Sequence, residues 1–343
     1  LLNKEVNKKA RHIPIRKLIT RASKTLQSLK PCFMMSPMSV SQYLKPGEIV
    51  FDLVIMDEAS QIRPEDALGT IARGEQVVIV GDPKQLPPSN FFRKNDIDED
   101  DEDERSVAEE QESILDSALG LLPLRRLRWH YRSKHQSLIA FSNYSFYDDD
   151  LVIFPSPVDN SKALGIRYSK ISKGTFVDRR NIEEARIVAL SVKSHMLNNP
   201  NETLGVVTMN VQQREQIDNE IEILAKDGDT EFSDILEKNR NRSDEAFFIK
   251  NLENVQGDER DVIYISMTYG PQTIGGKVYK RFGDINKETG WRRLNVLFTR
   301  SKRRMHIFSS LDSSDIPNTG SRGVKALNAF LRYCETGQIS RTD

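Results

Sequence analysis

The sequence predicts an α/β fold in which mostly parallel sheets are flanked by helices, arranged as two successive domains. Short, continuous apolar runs alternate with longer segments of helical periodicity, which is typical of buried parallel strands joined by helices. The chain has 343 residues, enough for two domains of ordinary size. Hydrophobic residues make up 38% and charged residues 29% of the chain, as is usual for a globular protein.

The first domain is predicted to cover residues 1–122. Its first helix is expected over residues 15–29, because apolar residues recur there at helical spacing. Three short apolar runs are interpreted as its strands: residues 32–35, 50–56 and 76–80. Ser36 and Pro37 are expected to end the first of these strands. Since parallel strands are usually buried on both faces, we expect helices on either side of this sheet.

The second domain is predicted over residues 123–343 and shows the same alternation. Its strands are expected at residues 204–208, 247–249, 262–266 and 305–308. Its helices are expected at residues 180–197, 212–224, 292–301 and 324–333. Gly337 is expected to end the last helix, because glycine readily adopts the left-handed conformation that ends many helices.

The composition excludes several classes of protein. No apolar run approaches the roughly 20 residues that a membrane-spanning helix requires. The two cysteines, Cys32 and Cys334, are too few for a disulfide scaffold or a cysteine-rich zinc site, which favours the reducing cytoplasm. The histidines form no H-x-x-x-H pair, so a histidine-based metalloenzyme is not expected. The chain starts at Leu1 without a signal-peptide pattern and is expected to be a fragment.

The net charge of zero conceals an uneven distribution. Residues 96–112 hold eleven acidic residues and one basic residue, which leaves 49 basic and 39 acidic residues, a net charge of +10, elsewhere. Such an acidic run usually forms a solvated loop, and a gate that repels nucleic acid is the alternative. The basic remainder of the chain is able to attract phosphate backbones.

Polar residues with matching chemistry follow two of the predicted strands. Asp57 and Glu58 come directly after the strand at residues 50–56. An aspartate at the carboxyl end of a strand can hold Mg²⁺ through water, and a neighbouring glutamate can activate an attacking water. A pair of acids in a solvated turn is the alternative. The next strand ends in Gly81 and a proline-rich turn that fixes Gln85, whose amide is placed to sense a terminal phosphate.

These motifs together resemble those of the superfamily 1 helicases. The sequences D-E-A-S at residues 57–60 and G-D-P-K-Q-L-P-P at residues 81–88 carry the resemblance. Four later segments follow in the family's order: LRWHYRS at 127–133, GVVTMNVQQ at 205–213, VQGDERDVI at 255–263 and NVLFTRSK at 295–302. The chain is most similar to the branch that contains the RNA helicase of nonsense-mediated decay and its DNA-processing relatives. Residues 321–337 also resemble large bacterial helicase-like proteins, some of which carry a nuclease domain.

The resemblance implies two RecA-like domains, the first one truncated at its N-terminus, and an ATPase that uses Mg²⁺. It implies that Asp57 coordinates Mg²⁺ through water, that Glu58 activates the hydrolytic water and that Gln85 contacts the terminal phosphate. It also implies that Arg132 and Arg300 reach the same phosphate across a cleft. An arginine there neutralises charge that grows on the phosphoryl oxygens. Exposed surface charges are the alternative for both arginines.

Further binding residues follow from the same resemblance. ATP binding is implied for Gly81, Asp82, Gly257 and Glu259, the last at the ribose or in a coupling loop. Nucleic-acid binding is implied for Ser36, Pro37, Thr208 and Asn210, in loops that hold a single strand by its backbone. Ordinary loops after strands are the alternative for these four residues. Trp129 and Trp291 are either stacking residues or, as is more common, buried structural residues.

One family motif is absent from the sequence. No G-x-x-x-x-G-K-[ST] loop, the phosphate cradle of P-loop enzymes, occurs in the 343 residues. The nearest sequence, GPQTIGGKV at residues 270–278, has the wrong spacing and lacks the hydroxyl residue. We expect the loop to be encoded upstream of Leu1, and the chain alone to be inactive although its parent protein hydrolyses ATP.

Three functions are compatible with these residues. The first is an ATP-dependent helicase or translocase that moves along single-stranded DNA, in preference to RNA, in the 5′-to-3′ direction that the branch implies. The second is an ATP-gated nucleic-acid clamp or scaffold that does not unwind. The third is a degenerate domain that only binds a partner, which the joint presence of the catalytic residues argues against. The expected location is the cytoplasm, with no membrane contact.

Overall fold

Two parallel strands form the sheet of unit 1, Leu1–Arg125, one of the two compact units of the chain. The computed structural model describes residues 1–88, 113–158, 163–227 and 230–339, so the acidic segment at 96–112 lies outside the described residues. The strands are β1 (Phe51–Met56) and β2 (Gly74–Ile79). The helices described in unit 1 are α1 (Leu2–Val6), α2 (Ile15–Leu29), α3 (Pro37–Tyr43), α4 (Pro64–Ile71) and α5 (Ile114–Leu119).

The predicted strand at residues 32–35 is wrong, because these residues form no regular structure. Cys32 and Met34 are exposed, while Phe33 and Met35 pack against a small core formed by α2, α3 and the loop before β1. A strand requires a hydrogen-bonded neighbour. Among the described residues of unit 1, β1 and β2 pair only with each other. An apolar run without a strand beside it therefore remains an irregular segment.

Described residues cover one face of the unit 1 sheet, but on strand β1 they cover the opposite face only at Phe51, which corrects the expectation of cover on both faces. Val54 and Met56 are buried in a core with α4 and α5. Leu53 and Ile55, which point to the opposite face, are 45% and 63% exposed.

Unit 2, Arg126–Asp343, is built on a five-stranded parallel sheet, in agreement with the predicted α/β fold class. The sheet order is β5-β9-β8-β6-β7. These strands are β5 (Gly165–Lys170), β6 (Leu204–Thr208), β7 (Phe248–Asn251), β8 (Arg260–Ser266) and β9 (Ser301–Ser309). A separate short pair consists of β3 (Trp129–His130) and β4 (Val152–Ile153).

Helices flank this sheet and complete two cores. They are α6 (Ser137–Phe146), α7 (Ile182–Asn198), α8 (Val211–Lys226), α9 (Thr230–Arg240), α10 (Gly290–Phe298) and α11 (Arg322–Thr336). The aliphatic core joins α7, α8 and α9 to the sheet. The aromatic core joins α6, α10 and α11, where Phe141, Phe298 and Phe330 are in edge or stacked contact. No helix of the described residues is long and apolar enough to cross a membrane.

The ends of two unit 2 helices differ in how well the sequence predicts them. Gly337 has a φ of 71°, the left-handed conformation that was expected to end the last helix. The helix expected over residues 292–301 instead ends at Phe298, and Ser301 already belongs to β9. The hydroxyl of Thr299 donates to the carbonyls of Asn295 and Val296 and completes the hydrogen bonding of the last helical turn.

Candidate functional site

The chain turns sharply after β1 and leaves two carboxylates at the surface. Glu58 has a φ of 52° and a ψ of 36°, a left-handed conformation that costs a non-glycine residue about 1 kcal/mol or more. Its backbone N–H donates to Oδ1 of Asp57 at 2.9 Å, which stabilises the turn. Both side chains are exposed. The turn therefore presents Asp57 and Glu58 to solvent at the carboxyl end of the strand.

The turn after β2 lies directly beside this pair. Backbone hydrogen bonds link the two segments: Val80 N–H donates to the Met56 carbonyl at 2.8 Å and Ala59 N–H donates to the Val80 carbonyl at 2.9 Å. A Cβ added to Gly81 would lie 3.0 Å from the Ser60 nitrogen, so this close approach favours glycine. The structure thus brings together the two strand ends that the sequence singled out.

Asp82 fixes the orientation of Gln85. Its Oδ1 accepts from the Lys84 backbone N–H at 2.9 Å, and its Oδ2 accepts from Nε2 of Gln85 at 3.0 Å. Gln85 remains partly exposed. In this conformation Asp82 is a partner of Gln85, and direct contact of Asp82 with ATP remains a prediction.

The chemistry of Asp57 fits a magnesium ligand. An exposed carboxylate is a hard oxygen donor, and Mg²⁺ in nucleotide sites is usually held by one or two carboxylates together with phosphates and water. Within the described ranges, no group of three or more His, Cys, Asp or Glu side chains is placed to hold a metal ion. An ion at Asp57 would therefore need further ligands from a nucleotide and from water.

In unit 2, Arg132 and Glu259 form an ion pair. Nε of Arg132 lies 2.7 Å from Oε2 of Glu259, and Nζ of Lys302 lies 3.1 Å from Oε1 of the same carboxylate. Lys302 also binds Glu245. Burial disfavours ionisation of Glu259, but the Lys302 hydrogen bond and the positive charges of Arg132, Lys302 and Arg300 outweigh it and lower its pKa. Glu259 is therefore an ionised counter-ion for Arg132.

Arg300 is placed differently from Arg132. It is only 3% exposed, whereas the Arg132 side chain is 40% exposed. Nε of Arg300 donates to the Val296 carbonyl at 2.8 Å, and Nη2 donates to the Thr299 hydroxyl at 2.9 Å. Its guanidinium thus stabilises the end of α10 in this conformation. Gly257, in the same region, has a φ of 85° and is exposed.

The predicted nucleic-acid residues lie at two helix starts. Ser36 does not end a strand, as was expected, but precedes α3 and accepts from the Ser39 backbone N–H at 3.2 Å, with Pro37 as the first helical residue. The expectation was wrong because the segment before Ser36 is irregular. Asn210 precedes α8 in the same way and accepts from the Gln213 backbone N–H at 2.8 Å.

Thr208 does end a strand, β6, but its side chain is fully buried. Its hydroxyl donates to the Asn210 carbonyl at 2.7 Å, and Nδ2 of Asn210 donates to the Arg179 carbonyl at 3.0 Å. In this conformation, a ligand at this loop would meet the partly exposed Asn210 rather than the Thr208 hydroxyl.

The two tryptophans occupy contrasting environments. Trp129 is 65% exposed and lies with its ring centroid 5.2 Å from that of Phe154. Trp291 is buried, stacks on Phe146 and lies beneath the guanidinium of Arg322. Trp291 is therefore a structural residue, while Trp129 presents an aromatic face to solvent.

Sequence reasoning missed a buried polar cluster at the carboxyl edge of the unit 2 sheet. Its centre is Glu184, which has no exposed surface. Burial raises the pKa of Glu184 to about 7, against the opposing effect of its hydrogen bonds from Ser266, Thr268 and Ser310. The three-residue spacing of Asn181 and Glu184 could have pointed to this cluster, but an ordinary cap at the start of a helix has the same spacing.

Comparison with known proteins decides the family. A family model described as an AAA domain matches residues 111–312, more than half of the chain, and a second AAA domain model matches residues 38–91. The chain belongs to the superfamily 1 helicases. Within them it falls in the branch of the nonsense-mediated-decay RNA helicase, to which its motifs pointed.

Proteins named as helicases are similar to this chain over most of its length. An uncharacterized ATP-dependent helicase of Mycoplasma genitalium (MG140) is 34% identical over an alignment of 325 residues. The alignment covers 90% of this chain and 28% of that protein. The mouse 5′-3′ DNA helicase ZGRF1 is 26% identical and matches 77% of this chain and 13% of its own length. The chain thus spans less than a third of either relative.

Among solved structures, a complex of arterivirus nonstructural protein 10, a helicase, with DNA is 12% identical, with a TM-score of 0.34. The matched region is 75% of this chain and 40% of the arterivirus chain, and the structural similarity is weak.

Proposed function

We propose that this chain is part of an ATP-driven motor that moves along single-stranded nucleic acid. The proposal rests on one observation: the Asp57–Glu58 turn and the Gly81–Gln85 turn lie side by side and are linked by backbone hydrogen bonds. Two strand ends that carry carboxylates and an oriented amide provide the groups that phosphoryl transfer to water requires. Membership of the superfamily 1 helicases supports the same reaction.

Each side chain has a distinct part in the proposed reaction. Asp57 holds Mg²⁺ through water, and the ion neutralises charge on the phosphate oxygens when it is bound. Glu58 orients the attacking water and accepts its proton. Gln85, oriented by Asp82, contacts the terminal phosphate and distinguishes ATP from ADP. Gly81 allows the turn to approach the nucleotide closely.

Two arginines of unit 2 are proposed to stabilise the charge of the transferred phosphoryl group. Arg132 is exposed and paired with Glu259, so binding a phosphate requires it to exchange one anionic partner for another. Arg300 requires a rearrangement of the end of α10, because its guanidinium is buried there. An arginine in this role accelerates phosphoryl transfer about 10³–10⁵-fold. Gly257 and Glu259 are proposed to contact the nucleotide once Arg132 is released.

The proposed ligand of the motor is single-stranded DNA in preference to RNA. Ser36, Pro37, Thr208 and Asn210 lie at helix starts or strand ends, positions that bind phosphates in many proteins. Such contacts are independent of sequence. We propose 5′-to-3′ movement, in keeping with the mouse relative, a 5′-3′ DNA helicase, and a cytoplasmic location, in keeping with free thiols at Cys32 and Cys334.

The 343 residues contain no glycine-rich phosphate-binding loop, so we propose that the isolated chain does not hydrolyse ATP. The test is therefore made on the complete gene product. ATP hydrolysis and displacement of a labelled strand from a tailed duplex are measured with and without single-stranded DNA.

The proposal predicts hydrolysis that DNA stimulates, together with strand displacement. Glu58→Gln is expected to lower kcat about 10²–10⁴-fold. The matched control, Asp66→Asn on the exposed side of α4, is expected to leave kcat unchanged. Hydrolysis without displacement or translocation would favour the clamp, and the absence of any ATP hydrolysis would contradict both functions.

A further inference from the structure

Glu184 is the centre of a fully buried hydrogen-bond cluster that the proposed catalytic groups do not use. Its Oε1 accepts from the Ser266 hydroxyl and from the Thr268 backbone N–H, both at 2.6 Å. Its Oε2 accepts from the Ser310 hydroxyl at 3.1 Å and from Nδ2 of Asn181 at 3.4 Å. All four groups that contact Glu184 are hydrogen-bond donors, so they are complementary to a carboxylate.

The donors come from segments that are far apart in the chain. Ser266 ends β8, Ser310 follows β9, and Asn181 precedes α7, on which Glu184 lies. A single carboxylate therefore holds together the loops after two neighbouring strands and the start of a helix. Such an arrangement fixes the relative positions of the loops, because each loop depends on the same acceptor.

Thr268 connects this cluster to the loop after β6. Its hydroxyl accepts from the Met209 backbone N–H at 3.2 Å, so it fixes the middle residue of the Thr208–Asn210 loop. Thr268 has a φ of 68°, which is strained for a β-branched residue. The hydrogen bond from its N–H to Glu184 is what holds this conformation in place.

Gln213 closes the cluster from the other side. Its backbone N–H donates to Oδ1 of Asn210, and its side chain donates to the Ser266 hydroxyl at 3.1 Å and to the Asn181 carbonyl at 3.1 Å. Gln213 has no exposed surface. The Thr208–Asn210 loop is thus attached to the cluster at Met209 and again at Asn210.

We propose that Glu184 is a positioning residue for nucleic-acid binding: through Thr268 and Gln213 it holds the Thr208–Asn210 loop in its binding conformation. The inference rests on the proposed function, because it takes this loop as a nucleic-acid contact. Glu184 itself is buried, so its proposed role is exerted through its neighbours rather than by contact with the strand. Because the loop is already ordered, it loses less conformational entropy when the strand binds, and binding is therefore stronger.

The test uses the complete gene product and a fluorescently labelled single-stranded oligonucleotide. Glu184→Gln keeps the shape of the side chain but turns one acceptor into a donor that faces other donors. We expect it to raise the Kd for the oligonucleotide about tenfold, within the range measured for coupled buried networks. We expect kcat at saturating nucleic acid to remain near that of the wild type. Glu183→Gln, on the same helix, is the matched control and is expected to change neither quantity.

A second pair of variants keeps the inference testable if Glu184→Gln does not fold. Thr268→Ala removes the hydroxyl that accepts a hydrogen bond from the Met209 N–H, whereas Thr268→Ser retains this hydroxyl. We expect the alanine variant to bind the oligonucleotide more weakly than the serine variant, at a temperature at which both are folded.

The outcomes separate the inference from the proposed function. If the wild-type protein fails to bind the oligonucleotide, the proposed function is contradicted. If the wild type binds and folded Glu184→Gln binds equally well, the inference is overturned. If Glu184→Gln does not fold, equal binding by the two Thr268 variants overturns it. A merely structural role would lower the melting temperature without raising the Kd.

Discussion

A half-buried histidine in the unit 2 sheet predicts a loss of stability in acid. His306, on β9, is stacked against Phe308 with ring centroids 4.1 Å apart, and its Nε2 lies 2.8 Å from the Ser169 hydroxyl. Burial lowers the pKa of His306 to about 4, with the nearby charges of Arg167 and Arg304 acting in the same direction. The folded protein therefore keeps this imidazole neutral at pH values where an unfolded chain protonates it.

The sign and size of the effect follow from linkage. Between pH 6.5 and about 4 the unfolded state binds more protons at this site than the folded state, so the contribution of His306 to stability falls as the pH falls through this window. The difference between a pKa of about 4 and the ordinary 6.5 corresponds to about 3 kcal/mol. This is a large fraction of the stability of an ordinary domain.

The assay is urea unfolding at a series of pH values between 7 and 4, followed by tryptophan fluorescence. Both tryptophans lie in unit 2, so the signal reports that unit alone. His306→Asn cannot titrate at this position, so we expect the unfolding free energy of the wild type, relative to that of this variant, to fall by about 3 kcal/mol as the pH falls through the window. Ser169→Ala, which removes the hydrogen-bond partner but keeps the imidazole, is expected to retain the wild-type pH dependence. Identical pH dependence in the wild type and His306→Asn would refute the reasoning.

Three further predictions concern other sites. The raised pKa of Glu184 gives a contribution of opposite sign to that of His306, because the stability that Glu184 contributes falls by about 3 kcal/mol as the pH rises from about 4.5 to about 7. Glu184→Gln should lack this contribution in the same unfolding series. Gly205→Ala would place a Cβ 2.4 Å from the Phe248 ring, so we expect a loss of about 1–3 kcal/mol in urea unfolding, and unchanged stability would contradict this packing. Arg132→Ala should lower kcat for ATP hydrolysis about 10³-fold in the complete gene product. Arg126 is also an exposed, ion-paired arginine, and Arg126→Ala should leave kcat unchanged. Equal kcat values for the two variants would exclude the proposed role of Arg132.

Local patterns in the sequence were sufficient to predict six of the nine described strands and five of the eleven described α-helices. The run at residues 204–208 is buried at every position and forms β6, an interior strand of the sheet, with its predicted limits. The helix start and end signals were reliable where they act locally, as at Gly337. The adjacency of Asp57 and Gly81 was also predictable, because parallel strands place their carboxyl ends at one edge of a sheet.

What the sequence did not predict depends on contacts between distant residues. Residues 32–35 have the composition of a strand, but strand formation depends on a neighbour that composition does not reveal. The burial of Arg300 against the end of α10 and the exposure of Arg132 are likewise properties of packing. Glu184 receives hydrogen bonds from Ser266 and Ser310, more than 80 residues away, and no spacing rule connects them.

The most direct test of the proposed motor is a structure of the complete gene product with Mg²⁺, a non-hydrolysable ATP analogue and a single strand. The decisive quantity is the distance from the Arg132 guanidinium to the nearest oxygen of the terminal phosphate. We predict hydrogen-bond contact at about 3 Å, with the Arg132–Glu259 pair broken and Glu58 beside the attacking water. A bound nucleotide that leaves Arg132 on Glu259, far from Asp57 and Glu58, would contradict the account.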